Sequence, residues 1–108
     1  MELARARMMD AVPTADVVVT NPTHYSVALR YSADALAPVV VAKGQDLVAF
    51  RIRELAREAG VAVVPDPPLA RALHASVDIG RMIPEELFQA VAELLAFVYR
   101  TAGRSAAA

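Results

Sequence analysis

At 108 residues the chain fits a single domain with one hydrophobic core and is too short for two. Its 11 basic residues nearly balance its 12 acidic ones, for a net charge of -1, so it has no overall basic field and nucleic acid is not an expected partner. Hydrophobic residues make up 56 % of it, mostly Ala and Val, yet no apolar run reaches the roughly 18 to 20 residues of a membrane span, and a soluble fragment is expected. The absence of cysteine excludes disulfides, thiolate metal sites and thiol nucleophiles.

The opening MELARARMMDAVP carries an arginine pair but no long apolar stretch after it, so it does not read as a signal peptide. Leu3, Ala4, Ala6, Met8 and Ala11 set against Glu2, Arg5, Arg7 and Asp10 predict the end of a helix over residues 1–12, stopped by Pro13. Asp16 to Thr20 runs apolar and β-branched without alternation, the pattern of a strand covered on both faces. Ser26 to Tyr31 alternates, with Val27, Leu29 and Tyr31 on one side and Ser26, Ala28 and Arg30 on a wetter one. The connection between these two strands is too short for a parallel crossover, so they are expected to pair antiparallel with Asn21-Pro22 at the tip. SADALAP is read as a loop.

Val39 to Lys43 predicts a third strand, ended by Gly44. Asp46 to Ala59 predicts a helix that Asp46 caps, with Val48, Ile52, Leu55, Ala56 and Ala59 on one stripe and a left-handed stop at Gly60. Val61 to Val64 is the fourth strand, parallel to the third across that helix. Asp66 caps a short helix over residues 67–75, whose first turn tolerates Pro67 and Pro68. A last helix starts at Pro84, with Glu85 and Glu86 matching its dipole and Leu87, Phe88, Val91, Leu94, Leu95 and Val98 facing the sheet. The expected fold is α/β: one domain over residues 13–101, a small mixed four-stranded sheet packed by three to four helices, with a frayed tail over 102–108.

Common chemistries are missing. There is no GxGxxG or Walker-type loop, and Gly44, Gly60, Gly80 and Gly103 are isolated, which weighs against a nucleotide-binding α/β enzyme. His24 and His74 have no partners at metal-ligand spacing, so no metal and no cofactor are expected. Tyr25, Tyr31 and Tyr99 read as core or rim residues, and Arg51, Arg53, Arg57 and Arg71 as exposed basic groups available to a protein partner.

Asn21-Pro22 stands apart because of what its atoms can do. After an ordinary Asn, the next backbone N–H attacks the side-chain amide and the residue deamidates; Pro22 has no N–H, so that route is closed. The remaining cyclisation runs the other way. The Asn21 side-chain nitrogen attacks Asn21's own carbonyl carbon, the prolyl nitrogen leaves, and the backbone is cut. Near-attack geometry and N–H groups aimed at the developing oxyanion would assist a poor amide nucleophile. His24 offers an imidazole for proton relay, and Thr23 a hydroxyl and a backbone N–H to orient the carbonyl. Asn-Pro is also a common turn dipeptide, and an inert turn is the default reading on residue chemistry alone.

The context decides which. ADVVVTNPTHYSVALRY resembles the self-cleaving segment of the FlhB/YscU family of type III secretion export-gate switch proteins, which serve flagella and injectisomes. The resemblance continues through APVVVAKGQDLVAFRIRELAREAG, VPDPPLARALHASVDIG and IPEELFQAVAELLAFVYR, the last similar to the flagellar branch. It implies a cytoplasmic domain on the inner face of the bacterial inner membrane, following a multi-pass membrane part, with residues 1–12 as the end of the linker. It implies single-turnover cleavage between Asn21 and Pro22, with Thr23 and His24 completing the motif, and halves that stay associated. The implied task is to switch export from rod and hook to filament subunits. The implied partners are other gate proteins, a hook-length control protein and export substrates.

Overall fold

The computed structural model describes the backbone of residues 2–32 and 34–107 and the side chains of residues 4–102 other than 33. Helix α1 spans Glu2–Ala11 and runs into a 3-10 turn at Val12–Thr14, whose Pro13 sits where a first turn tolerates a missing N–H. Strands β1 (Val17–Asn21), β2 (Tyr25–Arg30) and β3 (Val39–Gln45) follow, then α2 (Asp46–Glu58), β4 (Ala62–Pro65), α3 (Pro67–Ser76), a 3-10 turn at Glu85–Leu87 and α4 (Phe88–Ala107). The sheet order is β3-β2-β1-β4. β2 is antiparallel to both β1 and β3, and β4 is parallel to β1. The mixed four-stranded sheet expected from the sequence is therefore present. β3 and β4 run the same way, as expected, but at opposite edges, so the β3-α2-β4 connection crosses both central strands.

Helices cover both faces. Val17, Val19, Val27, Leu29 and Val40 point to one side and pack with Leu69 and Leu73 of α3 and Val91, Leu94, Leu95 and Val98 of α4. Val18, Ala28, Val41 and Ala42 point to the other and pack with Ile52 and Ala56 of α2, and with Met8 and Val12. This is why β1 lacks polar alternation: it is central, and Val17, Val18 and Val19 are all fully buried. Val41 and Ala42, though adjacent, face the same side. The β2–β3 register shifts there, with Ala28 opposite Ala42 and Leu29 opposite Val40, so Val41 is the extra residue of a bulge.

Several expectations need correction. The second face of β2 is not wetter: Ser26 and Ala28 are fully buried beneath α2, and Ser26 Oγ donates to the Ala49 carbonyl at 2.9 Å. Gly44 does not end β3 but lies buried within it; a Cβ there would stand 2.8 Å from Val48 Cβ, so glycine lets the first turn of α2 pass close to the strand it has just left. Asp46 does not cap α2. The cap position falls to Gln45, which makes no side-chain cap bond. Ala49 replaces Ala59 on the buried stripe of α2, and Phe88 is largely exposed. By contrast Asp66 caps α3 through Leu69 N–H at 3.3 Å, and Gly60 takes φ +77° as a helix stop. The last helix, α4, spans Phe88–Ala107. The expected solvent face of Glu2 and packing of Leu3 lie outside the described side chains.

One edge of the sheet is sheltered. Gly80 N–H donates to Val40 O at 2.7 Å, Val40 N–H to Arg81 O at 3.0 Å and Ile83 N–H to Pro38 O at 2.9 Å, so the segment after α3 lies along the start of β3.

Candidate functional site

Asn21 closes β1, Tyr25 opens β2, and the two are the last pair of the ladder. Between them Pro22, Thr23 and His24 form an exposed turn, while Asn21 is half-buried. Asn at the first turn position and Pro at the second suit the geometry, since Pro presets φ near -65°. The turn is closed by His24 N–H donating to the Asn21 carbonyl at 2.8 Å. That carbonyl belongs to the Asn21–Pro22 peptide bond. The sequence reading expected a donor from Thr23; the chain reversal instead brings the N–H of His24 to this oxygen, and Thr23 stays at the exposed tip. The His24 side chain is exposed as well.

Backbone hydrogen bonds hold both flanks of the turn. Asp66 N–H donates to Thr20 O and Asp46 N–H to His24 O, each at 2.9 Å. The first comes from the end of β4, the second from the start of α2. Neither partner was identified from the sequence, because both depend on sheet register. The four motif residues are thus together, held by the sheet rather than by each other's side chains.

Beneath the turn, the Tyr25 ring lies 4.5 Å from that of His74 on α3, tilted by 36°. Lys43 Nζ donates to the His74 carbonyl at 2.8 Å, satisfying a carbonyl in the last turn of α3. Burial, and then the neighbouring Lys43 ammonium, lower the His74 pKa below the ordinary value of 6.5. The unfolded chain therefore takes up this proton first on acidification. The contribution of neutral His74 to stability is complete above about pH 6.5 and is lost as pH falls through the lowered folded-state value. We expect the wild type to lose more melting temperature than His74→Gln between about pH 7 and 5; parallel losses in the two proteins would contradict this assignment.

At the opposite end of β1, the Asp16 carboxylate accepts Tyr31 N–H at 2.7 Å and lies 3.5 Å from the Tyr99 hydroxyl. Burial first, and this carboxylate second, raise the Tyr99 pKa. Asp16 thus links β1, β2 and α4, a role the sequence did not signal. The four arginines do not form one patch. Arg51 pairs with Glu54 at 3.1 Å, and Arg57 and Arg71 are exposed on helices that cover opposite faces of the sheet. Arg53 is partly buried rather than free: it lies 3.5 Å from Ser26 Oγ and 5.7 Å from the Phe50 ring centroid. Among the described residues no three His, Cys, Asp or Glu side chains converge to hold a metal, and no helix is long and apolar enough to cross a membrane.

A mixed four-stranded sheet between helical layers is the architecture of the C-terminal domains of export-apparatus proteins. The crystal structure of the cytoplasmic domain of FlhB from Shewanella putrefaciens superposes with a TM-score of 0.87 at 49 % identity, covering 94 % of this chain and 80 % of that one. A mutated EscU C-terminal domain gives a TM-score of 0.82 at 31 % identity, covering 90 % of each chain. Residues 1–98 match the family model described as the FlhB HrpN YscU SpaS family, and the chain belongs to that family. It is 52 % identical over 101 residues to the flagellar biosynthetic protein FlhB of Bacillus subtilis and 57 % identical over 98 residues to that of Escherichia coli. These alignments cover 93 % and 90 % of this chain but only 28 % and 26 % of the two relatives. The chain spans about a quarter of their length.

Proposed function

We propose that this chain is the self-cleaving switch domain of a flagellar type III export apparatus. In the proposed step Asn21 Nδ2 attacks the Asn21 carbonyl carbon and the bond from that carbon to the Pro22 nitrogen breaks. One amide proton passes to the departing nitrogen. The first fragment then ends in a succinimide and the second begins with the secondary amine of Pro22. The observation that carries this reading is the 2.8 Å hydrogen bond from His24 N–H to the carbonyl under attack. A fixed donor of this kind strengthens as the oxygen gains charge and is worth about 3 kcal/mol in comparable oxyanion sites. The reaction occurs once per chain, which makes it self-processing rather than turnover catalysis.

Burial supports the expectation that the halves remain together. Residues 1–21 include β1, which pairs on both sides and has three consecutive fully buried valines. The cut removes one covalent constraint at an exposed tip and leaves that core intact. On this reading the cut frees the turn to change shape, and the altered surface shifts export from rod and hook subunits to filament subunits. Gate components, a hook-length control protein and export substrates are the partners proposed. The placement proposed is the cytoplasmic face of the inner membrane, beyond a membrane part that lies outside this sequence.

The deciding measurement is the denatured mass of the purified chain after incubation at neutral pH. Two fragments, the second starting at Pro22, are expected; an intact chain would sink self-cleavage and leave a non-cleaving docking module. His24→Ala is expected to slow the cut without abolishing it, because water relays protons less efficiently than an imidazole carried on the turn itself. A wild-type rate for this variant between about pH 6 and 8 would remove the imidazole from the mechanism.

A further inference from the structure

Both backbone groups of His24 are engaged. Its N–H donates to the Asn21 carbonyl at 2.8 Å, and its own carbonyl accepts Asp46 N–H at 2.9 Å. Asp46 opens α2 directly after β3, with no residue between them. Among the described residues it is the one non-glycine residue with positive φ, +53°. For an L-residue this region costs on the order of 1 kcal/mol, and such strain persists only where the surroundings over-determine it. Here they do. Gln45 is paired with Tyr25, Gly44 is buried tight against Val48, and α2 is anchored on the sheet by Ile52 and Ala56. The first amides of a helix have no partner within it. The first amide of α2 finds its partner in the turn, and the turn is held in return.

We propose that Asp46 is a positioning residue for scission of the Asn21–Pro22 bond, its backbone N–H fixing His24 so that the His24 N–H stays on the carbonyl under attack. The inference rests on the self-cleavage reading. A turn closed by one hydrogen bond is soft, and a substantial fraction of turns lack that bond altogether. An oxyanion donor is effective only if it is already in place when charge develops. Tethering the His24 carbonyl to the start of a packed helix restricts rotation of His24 and so keeps its N–H aimed. The Asp46 side chain has no part in this. What matters is the amide and a backbone able to adopt positive φ.

The test compares the rate at which the Pro22-initiated fragment appears in the wild type, Asp46→Gly, Asp46→Val, and a chain in which the amide at 46 is replaced by an ester. Asp46→Gly keeps the donor and relieves the strain, and should cut within about twofold of the wild type. The ester lacks only the donor, and a β-branched valine resists positive φ; both should cut at least about tenfold slower. Val91→Ala, in the α4 core, is the control for general loss of stability and should stay near the wild-type rate. An ester cutting at the wild-type rate overturns the proposal, as does equal slowing by Val91→Ala. Should Asp46→Val fail to fold, the ester decides. An uncut wild-type chain counts against the self-cleavage reading instead; the clamp is then read from hydrogen exchange in Asn21→Ala, where slow exchange at the Asp46 amide is expected and fast exchange overturns it.

Discussion

Asn21→Ala is expected to give one intact chain under conditions in which the wild type gives two fragments. The substitution removes the side-chain nitrogen proposed to attack the Asn21 carbonyl carbon, and it leaves the backbone carbonyl and the His24 N–H that meets it untouched. The loss should therefore be complete rather than partial. Fold should be retained, because Asn21 is half-buried at a strand end and contributes its backbone, not an apolar side chain, to the sheet. Matching circular dichroism with no cleavage is the expected pair of observations. If Asn21→Ala still yields a Pro22 terminus, cyclisation is the wrong mechanism and hydrolysis by water takes its place. Pro22→Ala supplies a complementary check: it restores an N–H after Asn21, reopening attack on the side-chain amide, so a deamidated intact chain should accumulate.

A large stability effect is expected at Ile52. Its side chain is fully buried between α2 and the sheet, in the cluster with Val18, Ala28 and Val41. Ile52→Ala should cost about 2 to 5 kcal/mol, combining lost transfer energy with the cavity left behind. Urea unfolding of the uncut Asn21→Ala chain, with and without the substitution, measures it. Leu47, five residues earlier on the same helix, is 85 % exposed. Leu47→Ala should change stability by no more than about 0.5 kcal/mol. Comparable losses at the two positions would mean that α2 is not seated on the sheet by the face described. The prediction also bears on the turn, since α2 begins with the amide that holds His24.

Much of the fold was legible because it is written in neighbours along the chain. Continuous Val17-Val18-Val19 identified a strand covered on both faces, and the structure places helices on each. Asp66 followed by two prolines identified the start of α3, where a carboxylate accepting Leu69 N–H completes a local motif. Where the reading failed, the deciding contact was distant in sequence. Ser26 and Ala28 look like a wet face by alternation, but α2 folds back over them. Arg53 looks like a solvated helix residue, yet the same packing turns it toward Ser26. Asp46 looks like a cap because Asp so often is one; the tight β3–α2 passage at Gly44 instead places it at positive φ with its amide on the turn.

The same division runs through the candidate site. The sequence by itself determined which cyclisation is open to Asn21: Pro22 lacks an N–H, and the Asn21 side-chain amide can turn only on its own carbonyl, facts of covalent structure that need no fold. It also placed the Asn21–Pro22 bond at a hairpin tip, since two apolar runs so closely spaced can only reverse. The tertiary structure decided what surrounds it. The donor to the Asn21 carbonyl is His24 rather than Thr23, and the tethers on either flank come from Asp46 and Asp66. Backbone amides are the same at every residue except proline, so their partners leave no mark in composition; only the register of packed strands selects which amide meets which carbonyl.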